Sequence, residues 1–146
     1  MPIPAFDEFG LLPDGIHDCT LNNIRTRFGS FDRTDQRPRL FAKLSEFASA
    51  ARTIQIVRGL LVDGSFVTAK SAPNDIDLIV AAGHDFSAEL TPSEYSVLSK
   101  LRVHRQFGFD LLVARENSVE LRRWVDFFAQ VRVAPERRKG ILRLSL

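Results

Sequence analysis

The sequence LLVDGSFVTAKSAPNDIDLIV, residues 60–80, decides the fold that we predict for this chain. A polar loop in this stretch contains Gly, Ser, Thr, Pro and Asn, residue types that favour turns. An apolar segment lies on each side of the loop. The first segment, 54–62, is rich in branched residues and predicts a strand, with Gly59 as a bulge. The second, 76–81, predicts another strand. This stretch is therefore the candidate centre of a β-sheet.

Two carboxylates stand where the second strand begins. Asp75 and Asp77 are two residues apart, so the alternation of side chains along a strand predicts that they project from the same face. Neighbouring carboxylates repel each other unless a positive charge lies between them. Mg²⁺ prefers oxygen ligands and takes few carboxylates together with water and phosphate oxygens. The pair therefore indicates a divalent metal site.

The lengths of the connections bring a third carboxylate to the same place. The loop 64–74 has only eleven residues, too few for a helical crossover, so the first two strands should be antiparallel. A helix predicted after Thr91 separates the second strand from a third, 109–114, and favours a parallel crossover between them. Asp110, at the start of this third strand, should then lie beside the other two carboxylates.

The polar loop supplies candidates for phosphate binding. Gly64 allows a backbone with free N–H groups to approach a phosphate closely. The Ser65 hydroxyl can donate to a phosphate oxygen. Thr68 and Lys70 are further candidates, and the Lys70 ammonium would neutralise a phosphate charge.

Structural roles are the alternative for these residues. Gly64-Ser65 alone is compatible with an ordinary turn, and Asp75 with turn chemistry. Asp77 could be a solvated strand-edge residue, and Asp110 could pair with a neighbouring arginine. Taken together, these roles would gather three carboxylates at one sheet end without compensation, so we favour the metal and phosphate site.

Apolar residues at helical spacing predict four helices around the sheet. Capping signals mark their starts, such as Thr20 before the first helix and Thr91-Pro92 before the third. The predicted helices span residues 21–28, about 36–51, 92–107 and about 118–131. With the strands they predict an α+β fold, a two-layer α/β arrangement in which a small mixed sheet is flanked by helices.

A length of 146 residues fits a single domain, 1–146. We divide it into an N-terminal arm (1–19), a catalytic core (54–114) and a C-terminal part (132–146). The last part comprises a basic loop, 135–140, and a final strand. The alternating tail ILRLSL places Leu142, Leu144 and Leu146 on one face of that strand.

The composition indicates a cytoplasmic protein. Cys19 is the only cysteine, so an intrachain disulfide is impossible and a reducing compartment fits. The chain contains no apolar run of the roughly 18 residues that span a bilayer. The N-terminus MPIPAFDEFG lacks the basic start and apolar centre of a signal peptide. We therefore expect no membrane association.

Charge is unevenly distributed along the chain. Residues 1–99 carry 9 basic and 13 acidic groups, whereas residues 100–146 carry 11 basic and 5 acidic groups. This asymmetry suggests an anionic partner for the C-terminal part, although a solvated surface without a partner is an equally open interpretation. The candidates for an RNA-facing patch are Arg132, Arg137, Arg138, Lys139 and Arg143.

The pattern resembles the polymerase-β-like nucleotidyltransferase superfamily. It consists of Gly64-Ser65, nine residues, the Asp75-x-Asp77 pair and Asp110 on a later strand. It is most similar to the minimal bacterial members, which are small stand-alone catalytic cores. The segments LLPDGIHDCTLNNI, DGSFVTAK, PNDIDL and KGILRL are similar to a bacterial branch of that superfamily.

This resemblance implies a nucleotidyltransferase fold and a transferase activity. The reaction would move a nucleoside monophosphate from an NTP such as ATP to a hydroxyl of an RNA or protein acceptor. Asp75 and Asp77 would hold two Mg²⁺ ions, with Mn²⁺ as a substitute. Asp110 would bind the catalytic ion and help activate the acceptor hydroxyl, and Gly64 and Ser65 would hold the triphosphate.

The chain departs from the superfamily pattern at two points. Asp63 stands where an apolar residue is usual, either as an extra metal ligand or, as we prefer, as a hydrogen-bonded turn residue. Thr68-Ala69-Lys70 stands where an Arg-Gly pair is common. These departures concern triphosphate binding more than metal binding.

The alternative function is a binding module with this fold. It would act as the antitoxin-like or regulatory partner of another bacterial protein, because similar proteins work in toxin–antitoxin or phage-defence pairs with a helical partner. The apolar tail 141–146 could add a strand to the partner's sheet, or it could close this protein's own sheet.

Overall fold

The computed structural model describes residues 3–30, 35–87 and 89–146, so the first two residues of the predicted arm lie outside the described residues. The strands are β1 Gly15–Cys19, β2 Val57–Asp63, β3 Asp77–Ala82, β4 Asp110–Arg115, β5 Gln130–Val131, β6 Ala134–Arg138 and β7 Gly140–Leu144. The helices are α1 Leu21–Phe28, α2 Gln36–Arg52, α3 Pro92–Leu98, α4 Lys100–Phe107 and α5 Val119–Ala129, with a 3₁₀ turn at Ser65–Val67. The described chain therefore has a mixed α+β fold.

The strand pairing predicted from the connection lengths is confirmed. The main sheet has five strands in the order β1-β7-β2-β3-β4, and β5 and β6 form a separate hairpin. Strands β2 and β3 are antiparallel, β3 and β4 are parallel, and the register of β2 shifts at Gly59, where a bulge was predicted. Strand β7 pairs parallel to β1 and antiparallel to β2. The apolar tail thus closes the chain's own sheet from an interior position.

Alternate residues of the strands face two cores, one on each side of the sheet. Leu60, Leu78 and Val80 belong to the main core, which also contains the buried side chains of α1 to α4. Leu61 and Ile79 point the other way, beneath α5. The α5 residues that cover them are Leu121, Trp124, Val125 and Phe128. Helices cover both faces, so the expected two-layer arrangement is corrected to three layers.

Ser99 divides the helix predicted over 92–107 into α3 and α4. Its backbone is extended, with φ −87° and ψ 117°, and its hydroxyl accepts a hydrogen bond of 3.3 Å from the N–H of Arg102. Such a side chain-to-backbone bond is the usual way in which serine begins a helix. The apolar periodicity continues across this break, which is why the spacing alone predicted one helix.

Two further elements differ from the prediction. Helix α5 ends at Ala129, and most of β6, which forms a hairpin with β5, lies within the predicted basic loop 135–140. The predicted N-terminal arm contains β1, which pairs along its whole length with the distant strand β7. Elsewhere in the arm, Leu12 is only 1% exposed and Phe6 packs against the main core, whereas Phe9 is 50% exposed.

In the three described ranges, no helix is both long and apolar enough to cross a membrane.

The environment of Cys19 provides a test of the pairing between β1 and β7. Burial, and secondarily the Asp18 carboxylate, raises the pKa of the Cys19 thiol to about 11. Only the thiolate reacts with disulfide reagents, so at about pH 8 the native protein should react much more slowly than protein unfolded in urea. Between about pH 7 and pH 10 the rate should rise about tenfold per pH unit. Labelling that is as fast in the native as in the unfolded protein would mean that β1 does not remain paired.

Candidate functional site

Three carboxylates form a row across one end of the sheet. Asp63 is the last residue of β2, and Asp77 and Asp110 are the first residues of β3 and β4. Asp63 pairs with Asp77 across the antiparallel strands, and Asp77 pairs with Asp110 across the parallel ones. Directly paired residues project from the same face of a sheet. The row therefore lies on the face that α5 covers, at the end where the polar loop leaves β2.

Asp75 belongs to the loop before β3 and does not lie in the strand itself. Its Oδ1 accepts a hydrogen bond of 3.2 Å from the Ser65 backbone N–H and another from the Ser65 hydroxyl. The Ser65 Oγ in turn accepts from the Asn74 N–H at 3.2 Å. In this structure the Ser65 hydroxyl, predicted as a phosphate donor, holds the Asp75 carboxylate in place.

Gly64 is required by close packing of the chain on itself. Its φ of 96° lies in the region that favours glycine, and a Cβ atom there would come within 2.8 Å of the Asp75 carbonyl oxygen. The backbone N–H groups of the turn that follows donate to carbonyl oxygens of the chain itself. Phe66 donates to Asp75, Val67 to Gly64 and Thr68 to Ser65. The N–H groups expected to be free for a phosphate therefore already have acceptors.

Asp63 forms a buried ion pair with Lys139. The Lys139 Nζ lies 2.9 Å and 3.0 Å from the two carboxylate oxygens, and the Asp63 residue is only 3% exposed. Burial raises the pKa of Asp63, although the Lys139 ammonium opposes this effect. Asp63 is thus a strand-end residue with an ionic partner, which corrects its interpretation as a turn residue.

Asp77 lies at the centre of the negative charge. Burial first, and then the charges of Asp75, Asp63 and Asp110, raise the pKa of Asp77 to about 6, while Lys139 acts in the opposite direction. Asp110 is at the outer, exposed end of the row. Its Oδ1 lies 3.6 Å from the Nδ1 of His104, and neither Arg102 nor Arg105 pairs with it in the structure.

A cavity of about 430 Å³ opens beside this row. Its polar wall contains Asp63, Gly64, Ser65, Thr68, Asp75, Asp77 and Lys139. The remaining lining comes from the N-terminal arm, the end of α5 and the hairpin: Leu11, Phe127, Phe128, Gln130, Val131, Arg132 and Pro135. Of the predicted site residues, Lys70 and Asp110 do not line it. Lys139 and Arg132 supply its positive charge.

The predicted RNA-facing patch is divided among several contacts. Arg132 and Lys139 line the cavity, whereas the Arg137 guanidinium stacks on the Phe9 ring at 3.4 Å. The other two members of the patch form ion pairs. Arg138 pairs with Asp14 and Asp126, and Arg143 pairs with Asp18. These arginines tie the hairpin and β7 to their neighbours, so they do not form one continuous basic surface.

Arg37 holds the site loop from the side of the main core. The residue is 0% exposed. Its guanidinium donates to the carbonyl oxygens of Phe28, Phe66, Thr68 and Lys70 at 3.1, 2.7, 2.7 and 2.6 Å. Three of these acceptors belong to the loop that follows Ser65. Because a guanidinium can donate in several directions in one plane, this side chain fixes the loop at several points at once.

The carboxylates have the chemistry, though not the preassembled geometry, of a divalent metal site. Oxygen donors and concentrated negative charge suit Mg²⁺ or Mn²⁺. Within the described ranges, however, no three His, Cys, Asp or Glu side chains form a group that could hold a metal ion. The hydrogen bonds from Ser65 to Asp75 help to explain why the carboxylates do not converge, because they hold the Asp75 side chain against the loop.

These features define the class of protein: a mixed α+β domain with a carboxylate-rich cavity at one end of its sheet. The chain belongs to DUF6932, a family of unknown function, whose family profile matches residues 4–145. The match includes every strand and helix described above. No curated protein and no solved structure matches the chain.

Removing the central charge should stabilise the fold. The pKa of Asp77 is higher in the folded than in the unfolded chain, so its contribution to stability is greatest at low pH and is lost as pH rises from about 4 to 6. Asp77→Asn should therefore increase the free energy of unfolding at about pH 7 by roughly 1–2 kcal/mol, after allowance for solvent screening. Thermal unfolding in EDTA measures this, with the exposed Asp85→Asn as control. Identical pH dependence in wild type and Asp77→Asn would contradict the crowding of these charges.

Arg37→Lys should destabilise the protein despite keeping the charge. An ammonium cannot reach all four carbonyl groups, so buried acceptors are left without donors, at a cost of about 2–4 kcal/mol. Arg39→Lys is the matched control, because Arg39 is exposed in an ion pair with Asp35 and should change stability by less than about 0.5 kcal/mol. Urea unfolding compares the two variants. Equal effects would contradict the anchoring role of Arg37.

Proposed function

We propose that this chain is a metal-dependent nucleotidyltransferase. It would transfer a nucleoside monophosphate from an NTP to a hydroxyl of an RNA or protein acceptor. The observation that carries the proposal is the position of Asp77, which lies in register with Asp63 and Asp110, beside Asp75, at a cavity with a lysine in its wall. Such crowding of negative charge destabilises the free protein, and a bound cation would relieve it.

Asp75, Asp77 and Asp110 would hold the metal, either one Mg²⁺ ion or a pair. When bound, the metal withdraws charge from the attacking and leaving oxygens of an in-line phosphoryl displacement. The carboxylates would have to close around it, and Asp75 would exchange part of its bonding to Ser65. The resemblance to the polymerase-β-like superfamily supports the same three residues, and a nucleotidyltransferase fold is part of this proposal.

The chain's own side chains account for the other requirements of the reaction. The acceptor oxygen attacks the α-phosphorus, the bond to the β-phosphate oxygen breaks, and pyrophosphate leaves with the electron pair. Lys139 and Arg132 face the cavity and would bind the triphosphate, a role that the sequence assigned to Lys70. Asp110 is exposed at the outer end of the row, where an acceptor hydroxyl could approach and give up its proton.

A binding module is the alternative function. One docking mode considered for it was addition of the apolar tail to the sheet of a partner. Because β7 already has a neighbour on each side, this tail could join a partner only if the sheet came apart. The position of β7 therefore argues against this docking mode, and leaves the binding module itself open. An antitoxin-like or regulatory role would require a different surface.

Transfer of label from α-labelled NTPs tests the enzyme directly. The full chain with Mg²⁺ or Mn²⁺ and cell extract should label an RNA or protein acceptor. Asp77→Asn should reduce labelling by about 100-fold or more, because a carboxylate that would hold the metal ion is lost, and with it the positive charge that would stabilise the developing phosphoryl charge. Asp85→Asn is the control for a lost surface carboxylate and should label normally. Since Asp77→Asn is expected to be the more stable protein, unfolding would not explain its inactivity.

The outcome that would refute the proposal is also clear. Label transfer that survives Asp77→Asn would place the chemistry elsewhere. A wild-type chain that labels nothing with any NTP, yet co-purifies with another protein through a surface insensitive to Asp77→Asn, would favour the binding module.

A further inference from the structure

The lining of the cavity beside the carboxylate row contains two chemically different groups of side chains. One group is charged and comprises the aspartates at the strand ends with Lys139 and Arg132. The other group is apolar and comprises Phe127 and Phe128 from the last turn of α5 with Val131 and Pro135 from the hairpin. A ligand that contacts both groups therefore needs a charged part and an apolar part. The volume of the cavity, about 430 Å³, falls in the range of small-molecule sites.

Phe127 is an exposed member of the apolar group. Its exposed fraction is 57%, and its ring centroid lies 5.7 Å from that of Phe128 at an interplanar angle of 57°. The ring is therefore held by a neighbouring ring on one side and is open to the cavity and solvent on the other. An exposed aromatic face beside positive side chains is the surface that flat nucleobases stack on in proteins that bind nucleotides and single strands.

We propose that Phe127 stacks on the base of the donor nucleotide. The inference rests on the proposed function, since it places the triphosphate at Lys139 and Arg132. Lys139, Arg132 and Phe127 line the same cavity, so a single nucleoside triphosphate could contact both the charged and the apolar side chains. An inorganic polyphosphate would contact only the charged side chains and would leave the Phe127 ring in water.

The negative charge of the cavity defines the conditions of the test. Asp63, Asp75 and Asp77 outnumber Lys139 and Arg132 in its lining, so a polyphosphate should bind only together with a divalent cation. The comparison therefore uses two ligands of similar phosphate content, ATP and inorganic tripolyphosphate. Both are titrated into the full chain with excess Mg²⁺ in a calorimeter. Their difference reports the contribution of the nucleoside.

The wild-type chain should bind MgATP at least about tenfold more tightly than magnesium tripolyphosphate, as expected for one stacked base. Phe127→Leu keeps an apolar side chain but removes the flat ring, so it should abolish this preference and leave tripolyphosphate binding unchanged. Phe127→Trp should restore the preference. Tyr95→Leu removes an aromatic ring that is 45% exposed on α3, outside the cavity, and should behave as wild type.

Failure of this inference can be distinguished from failure of the enzyme proposal. Equal affinity of the wild type for both ligands, or an ATP preference that persists in Phe127→Leu, would overturn the stacking role while the phosphate site stands. If Phe127→Leu weakens binding of a short RNA without a triphosphate but does not weaken binding of ATP, then Phe127 does not stack on the base of the donor nucleotide. If neither ligand binds with Mg²⁺ or Mn²⁺, the nucleotide site and the stacking role both fail.

Discussion

The alignment of β2, β3 and β4 is the constraint on which the rest of the structure depends. Each strand has apolar side chains on both faces, with Leu78 and Val80 in the main core and Ile79 beneath α5. Because side chains alternate, a shift of β3 by one residue would turn Asp77 toward the main core and remove Leu78 from it. Burying a side chain of that size stabilises a protein by about 1.5–3 kcal/mol. Hydrophobic burial therefore fixes where the carboxylates stand.

At this end of the sheet, the fold brings together carboxylates whose negative charges repel each other. Four aspartates lie together, and burial first, then the charges of the three neighbouring carboxylates, raise the pKa of Asp77. On the other side, Arg37 donates to three carbonyl groups of the loop and so opposes its opening. The packing of the two cores and the hydrogen bonds of Arg37 hold these negative charges close together. Such concentration of unfavourable charge is more typical of a functional site than of a structural one.

The sequence predicted what depends on periodicity and connection length, and missed what depends on contacts between distant side chains. The short loop before Asp75 and the helices before Asp110 were sufficient to predict the antiparallel and parallel pairings, because chain geometry leaves few other solutions. The partner of Asp63, in contrast, is 76 residues away, and the spacing of apolar residues carries no information about it. For the same reason Lys70, which lies within the loop, was predicted as a phosphate cation, whereas Lys139 and Arg132, which line the cavity, were assigned to an RNA-facing patch.

Under the proposed nucleotidyltransferase function, the pairing of Asp63 with Lys139 would explain how the chain can differ from the superfamily pattern and still present the same charges. An apolar residue at position 63 would leave Asp75, Asp77 and Asp110 as the carboxylates of the site. In this chain the Lys139 ammonium, 2.9 Å away, compensates the charge of Asp63. Among the described side chains, no lysine or arginine forms an ion pair with Asp75, Asp77 or Asp110. The ion pair also holds a lysine in the wall of the cavity, close to the loop where the superfamily's Arg-Gly pair is missing. Under the proposed function, the two departures seen in the sequence, at Asp63 and at Thr68-Ala69-Lys70, would be parts of one local rearrangement in which the cation for the phosphates comes from the C-terminal part of the chain.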